Sequence, residues 1–294
     1  MKSLIRLGTT IGLVGAVLLG SLFTGATRAL ALTQEQVMTS LQTVPVFALM
    51  NQQGGILLAT PTQGDNKTPV AGIFIDGQDA QNFLNKLKQN NPQASEGAQV
   101  VPISLAKVYQ LSQEKKDQVQ FIFIPSEQQV QAAQAVLQQS GQQNAEFQGV
   151  PLFAARSSDP DGAYLTIQQG NRQIVPMFFN RQELQALLDR LKQAQPELAA
   201  KMSVQVINLE GFISTLQSSN NNDLTQIQLD PADSSIEFTR AFQQANPNFG
   251  QAANQQQPQG QQRAQQRPSQ PNSQSNSQSN PQRAQQLAPA QPRQ

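Results

Sequence analysis

The chain has 294 residues and a net charge of +1, with no cysteine, histidine or tryptophan. Without cysteine, disulfides, thiol chemistry and a lipidated cysteine are excluded. Without histidine, the commonest general base and the commonest metal ligand are lost together, and a charge this small gives no field to steer the chain to nucleic acid or anionic lipid.

The chain opens with Lys2 and Arg6, an apolar stretch over residues 11–22, and an A-x-A pattern at Ala29-Leu30-Ala31. That pattern predicts a secretory signal peptide over residues 1–31. The apolar stretch is short for a ~30 Å hydrocarbon core, so an uncleaved anchor is the lesser alternative. No twin-arginine pair precedes it, which favours the general secretory route. The periplasm is the expected location, and a thylakoid lumen would use the same signal. No integral membrane span is expected after cleavage.

Two similar stretches follow, each about one hundred residues long. Residues 44–88 contain VPVF and VAGIFIDGQDAQNFLNKLK, and residues 150–192 contain VPLF and IVPMFFNRQELQALLDRLK. Phe74 answers Phe178 at an offset of 178 − 74 = 104, which carries Leu84, Leu87 and Lys88 onto Leu188, Leu191 and Lys192. This period is far longer than the ~20–50 residues of solenoid repeats. It predicts two subdomains related by a pseudo-twofold axis, over residues 32–141 and 142–245.

The first half opens with Thr33-Gln-Glu-Gln36, a capping box before a short helix. Residues 44–50 (VPVFALM) predict a strand, with Pro45 at a sheet edge or strand start. Asn51 to Gly55 predicts a turn, and Ile56-Leu57-Leu58 a returning strand. In the second half residues 150–155, a turn through Asp159 and Gly162, and residues 163–167 do the same. Residues 70–75 and 174–179 form third strands that run into helices capped by Asp76 and Asn180. Asp79 and Glu183 suit the positive ends of those helices. Ala80, Phe83, Leu84 and Leu87 in one, and Leu184, Leu187, Leu188 and Leu191 in the other, recur at helical spacing, so one face of each helix is expected to be buried. Fourth strands (residues 100–103 and 204–207) lead to helices capped by Ser104 and Asn208. Fifth strands then run into Pro125 and Pro231, the second copy being more polar and expected at an edge. The fold class is α/β, an α+β arrangement with mixed sheets in two duplicated halves. Residues 246–294, rich in Gln, Asn, Pro and Ser, have little to bury and read as a disordered, solubilising tail.

Chemical candidates are few. Asp159-x-Asp161-Gly162 resembles the start of a calcium loop but lacks its further ligands and closing Glu; a tight turn explains it. Asp76 and Asp79 form a carboxylate pair that helix capping accounts for. Ser104 and Ser126 have no basic partner for nucleophilic catalysis. Lys115 and Lys116, beside Glu114 and Asp117, read as a solvated loop. No enzyme activity, metal or cofactor is expected. What remains is apolar surface: phenylalanines occupy matching positions (Phe47 with Phe153, Phe74 with Phe178), and sheet faces left uncovered by helices would form two apolar clefts for protein partners.

The order and duplication of VPVF/VPLF, VAGIFIDGQDAQNFLNKLK, VVPISLAKVYQL, FIFIPSEQQV and GNRQIVPMFFNRQELQALLDRLK resemble the Tic twenty-two family, a soluble component of the translocon at the inner chloroplast envelope, in its cyanobacterial periplasmic branch. The resemblance spans residues 33–244. It implies a pseudo-twofold α/β fold with apolar pockets on both halves. It also implies a chaperone-like role in protein transport and outer-membrane biogenesis, with an Omp85-type barrel or translocon as destination. The leading expectation is a non-catalytic periplasmic protein that binds extended apolar segments of unfolded or precursor envelope proteins. Phe47, Ile56, Leu58, Phe74, Phe153, Leu165, Ile167 and Phe178 are the expected client-binding residues, and two sites on one body would add affinity through effective concentration. The alternatives are a structural adaptor tethering an Omp85-type machine, and a hydrolase with an unrecognised carboxylate site.

Overall fold

The computed structural model describes residues 17–18, 32–61, 67–142, 146–159, 162–219 and 221–247. The expected signal peptide and tail lie almost wholly outside the described residues, as do Pro160 and Asp161 of the predicted turn.

Two mixed sheets form the frame. The first holds β2 (Pro45–Met50), β3 (Leu58–Ala59), β4 (Val70–Phe74), β5 (Gln99–Ser104) and β6 (Gln120–Ile124). Its order is β3-β4-β2-β5, and β6 pairs β4 in parallel. The second holds β7 (Pro151–Ser157), β8 (Leu165–Gln169), β9 (Arg172–Phe178), β10 (Met202–Asn208) and β11 (Ile227–Asp230). Its order is β8-β9-β7-β10, and β11 pairs β9 in parallel. A further two-residue strand, β1 (Val17–Leu18), pairs antiparallel with β8. The strand order is thus common to both sheets, and so is one point of register: Phe47 faces Phe74, and Phe153 faces Phe178. Pro45 is the first residue of a strand with neighbours on both sides, so it marks a strand start and not an edge. β6 and β11 each pair with one strand among the described residues, so the edge position expected for the polar second copy holds for both copies.

The helices begin where their caps predict. Thr33 and Gln36 close the capping box of α1 (Gln34–Leu41). Asp76 accepts from Gln78 N–H (2.8 Å) and Asp79 N–H (3.1 Å) at the start of α2 (Gly77–Asn90). Ser104 caps α3 (Leu105–Glu114), Asn180 caps α5 (Arg181–Ala194), and Asn208 caps α7 (Leu209–Ser218). Each cap meets amides that the first helical turn leaves unpaired. The remaining helices are α4 (Glu127–Gln139), α6 (Pro196–Ala200, with Pro at its first position) and α8 (Asp233–Ala245).

Strand alternation divides the core. Val46, Ala48 and Ile73 of the first sheet, and Leu152, Ala154 and Met177 of the second, enter one common core with α1, α3 and α7. Phe47, Leu49 and Phe74 point the other way, into a cluster beneath α2. Phe153, Ala155 and Phe178 do so beneath α5.

The last helix of each sequence half crosses over. α4 packs on β7 and β10 of the second sheet, and α8 packs on β2, β5 and α2 of the first. The Gln129 side chain of α4 accepts from Arg181 N–H (3.0 Å) at the start of α5. In the opposite sense, Ser235 of α8 donates to the Ile75 carbonyl (3.1 Å), and Ser234 donates to Asp76 (3.1 Å). Residues 32–141 and 142–245 are therefore interlocked within one compact unit that ends at Pro247.

Candidate functional site

The first sheet presents an apolar cleft on the face that α2 covers only in part. Its floor is Leu58 and Ala59 of β3, Val70, Gly72 and Phe74 of β4, and Ile122 and Ile124 of β6. Phe83 and Leu87 of α2 form one wall. Its volume is about 590 Å³, within the ~300–1,000 Å³ range of ligand pockets. Among the described residues, no lining residue is charged.

Helix spacing sets the wall. Phe83 and Leu87 lie four residues apart and share a flank of α2. Ala80 and Leu84 turn inward and are buried, whereas Phe83 stays 47 % exposed. Its ring rests on Phe74, with centroids 5.2 Å apart and planes tilted by 49°. Gly72 keeps the floor low: a Cβ there would come within 3.0 Å of Ile124 Cδ1. Leu58 is 48 % exposed and Ile122 43 %. Among the described residues these three are the exposed large hydrophobic side chains, and all three line this cleft. Scattered apolar exposure is ordinary in a folded protein, but a contiguous patch is the signature of an interaction surface.

The residues expected to bind clients fall into three groups. Leu58 is in the cleft, and Phe74 forms its base although little of the ring reaches solvent. Ile56 is half-buried against the common core and does not line the cleft. Phe47, Phe153, Leu165, Ile167 and Phe178 are buried, which corrects the expectation that they present surface. Phe47 is sealed by Phe238 of α8, whose ring meets it edge-on at 5.1 Å. Phe153, Phe178, Leu165 and Ile167 pack with Leu187 and Leu191 of α5 and Ala133 of α4, with Phe147, Leu198 and Ala199 closing around them. Phe83 and Ile122 were not among the expected site residues. The signal for Phe83 was available: Phe83 and Leu84 sit side by side on the helix, and a single packing face does not bury both.

Titratable groups lie away from the cleft, where the crossing helices start. Glu183 accepts from Asp233 N–H at 3.0 Å, at the start of α8. Burial pushes its carboxyl up to about 7; the hydrogen bond opposes this, and Asp233 and Asp230 add to it. Asp230 is raised by burial and by Asp233. Asp79 is raised by burial and by Asp76 against the pull of the Ser126 hydroxyl, with Glu127 adding to the rise. These acids, like Asp76, serve helix starts and helix crossings.

The Tic22-like family model matches residues 2–241. Protein TIC 22-like, chloroplastic, of Arabidopsis thaliana is 28 % identical over 204 residues, covering 68 % of this chain and 61 % of that protein. Protein TIC 22, chloroplastic, of Pisum sativum is 24 % identical over 217 residues, covering 74 % and 80 %. The chain thus spans about three fifths of the Arabidopsis relative. Among solved structures, Anabaena Tic22, described as a protein of protein transport, superposes with a TM-score of 0.62 at 34 % identity, covering 71 % of this chain and 97 % of that one. Tic22 from Plasmodium falciparum gives 0.57 at 20 % identity, covering 71 % and 98 %, a likeness of fold.

Proposed function

The chain belongs to the Tic22-like family, and from that premise we propose that it is a non-catalytic, chaperone-like carrier in protein transport. It binds extended apolar segments of envelope proteins in the periplasm or an equivalent compartment and supports outer-membrane biogenesis. The observation that carries this reading is the convergence of Leu58, Phe83 and Ile122 on one apolar cleft. The protein-transport description of Anabaena Tic22 points the same way. Binding is by reversible burial of client side chains and needs no bond-making step. An uncharged wall suits apolar segments of varied sequence, because burial of apolar area is non-directional.

The test is suppression of aggregation of a chemically denatured model enzyme by the full chain. Phe83→Asp and Ile122→Asp each place a charge in the cleft. Each should remove most of the suppression while leaving the far-ultraviolet circular dichroism and thermal midpoint near those of the parent. Undiminished suppression by both variants would overturn the cleft as the client site. No suppression by the parent, with tight binding to one Omp85-type barrel, would favour the adaptor reading instead.

A further inference from the structure

The cleft ends at β6, whose hydrogen-bonding parity can be read directly. Gln120 N–H donates to the Pro69 carbonyl and Ile75 N–H to the Ile124 carbonyl, so residues 120, 122 and 124 turn their main chain towards β4. In a parallel ladder the intervening residues turn theirs the other way. The N–H and C=O groups of Phe121 and Phe123 therefore face the outer edge, where no strand pairs with β6 among the described residues. β11 holds the same place beside β9, with α1 packed against it as α3 packs against β6. Ile122, between the two outward-facing residues, presents its side chain in the cleft.

We propose that the client segment of the preceding section binds as an added β-strand along the outer edge of β6, hydrogen-bonded through the main chain of Phe121 and Phe123. A strand there would lie ~4.8 Å from β6. Every second side chain would fall on the cleft face beside Ile122, extending the floor that β4 and β6 already make. Main-chain pairing reads no side chain, and the apolar floor selects the alternate residues. The occupant is thus an uncharged segment with apolar residues at every second position. On the other sheet, two residues of the segment expected to be cleaved, Val17 and Leu18, pair in this way with Thr166 and Leu165 of β8. An unpaired apolar edge strand is otherwise a liability that proteins cover or charge; β6 carries no charged residue.

This inference rests on the client reading, and one experiment separates the two. The probe is a twelve-residue peptide of alternating Val and Thr with lysine at each end, titrated into the full chain by fluorescence anisotropy. Two derivatives carry backbone N-methyl groups, one at the odd and one at the even positions. Only one set would face β6. That set should weaken binding about tenfold, the scale of one or two lost hydrogen bonds, and the other should change it less than about twofold. A photoreactive residue at Ile122 should crosslink to alternate peptide positions. Equal affinities for the two derivatives, whether unchanged or equally reduced, would overturn strand addition and leave the client reading standing. No binding by the parent peptide would sink both.

Discussion

The two halves share a strand order, yet one keeps an apolar cleft open and the other has filled the corresponding space. The 104-residue offset places Phe83 on Leu187 and Leu87 on Leu191. Phe83 is 47 % exposed and Leu187 2 %; Leu87 is half-buried and Leu191 buried. Conversely, Leu84 is buried and its counterpart Leu188 is half-buried. The buried stripe has therefore shifted by about one residue around the helix. The partners differ accordingly. In the first half, Phe238 of α8 presses on the flank of α2 that carries Gly77 and Leu84. In the second half, α4 brings small residues, Ala132 and Ala133, while Leu198 and Ala199 of α6 and Phe147 add cover. One strand pattern thus gives an open or a filled face according to which side of the helix its neighbours reach.

The comparison predicts, first, that equivalent buried rings matter equally for stability. Phe47→Ala and Phe153→Ala should each lower the unfolding free energy by about 3–5 kcal/mol, the usual loss for a buried aromatic side chain. Urea titration checks this. If either costs less than about 1 kcal/mol, that ring is not sealed and the contrast between halves fails there. Because each half lends a helix to the other, both variants should unfold in a single transition.

A second effect sharpens the account of the crossing helices. A Cβ on Gly77 would lie 2.5 Å from the Phe238 ring at Cγ, close to the root of that side chain, where rotation gives little relief. The offset of 104 places Gly77 on Arg181, and the Pro125/Pro231 alignment places Phe238 on Ala132, so the second half holds a larger residue where the first has glycine and a smaller one where it has phenylalanine. Gly77→Ala should therefore destabilise by about 1–3 kcal/mol through overpacking, despite alanine's better helix propensity. In a Phe238→Ala background the same substitution should become neutral or stabilising. A double-mutant cycle reads that coupling, and strict additivity would break the argument.

Much of the frame was legible in the sequence. The caps at Thr33, Asp76, Ser104, Asn180 and Asn208 stand as expected, because capping is a local matter of a side-chain oxygen meeting the first amides. The sheets are mixed as expected, but the parallel pairs join β4 to β6 and β9 to β11, each with a strand between them in sequence, and not the strand–helix–strand neighbours, because β5 and β10 pair antiparallel with β2 and β7. The site was read less well for a physical reason. Phe47 and Phe153 sit on the strand face that turns away from the common core, and whether that face meets solvent depends on helices from the other half, α8 for Phe47 and α4 for Phe153. Periodicity gives the face but not its cover. Leu58 and Phe74 line the cleft because it is bounded by the hairpin and third strand that the repeat already marked.

The cleft wall gives a smaller effect on stability with a separate readout. Phe83→Ser removes a half-exposed ring and should cost less than about 1 kcal/mol, while Leu187→Ser at the corresponding buried position should cost about 2–5 kcal/mol. Thermal unfolding of the pair measures the asymmetry of the halves directly. Equal losses would mean that Phe83 is as well covered as Leu187, and the cleft would then be closed in solution.

The smallest effect is electrostatic and concerns the helix crossing. Glu183 is held up at about 7, above its ordinary value of 4.5, mainly by burial. The folded chain therefore binds a proton more tightly here than the unfolded chain does. Between about pH 4.5 and pH 7 the folded state holds more protons at this site, so its contribution to stability falls as pH rises through that window. The carboxyl is about half-buried, and screening by solvent limits the span to about 1 kcal/mol. Glu183→Gln keeps an oxygen to accept from Asp233 N–H and removes the titration. The stability difference between parent and variant should then grow in the variant's favour from pH 5 to pH 7.5. A constant difference across that range would mean that Glu183 titrates near its ordinary value and that the start of α8 is open to water.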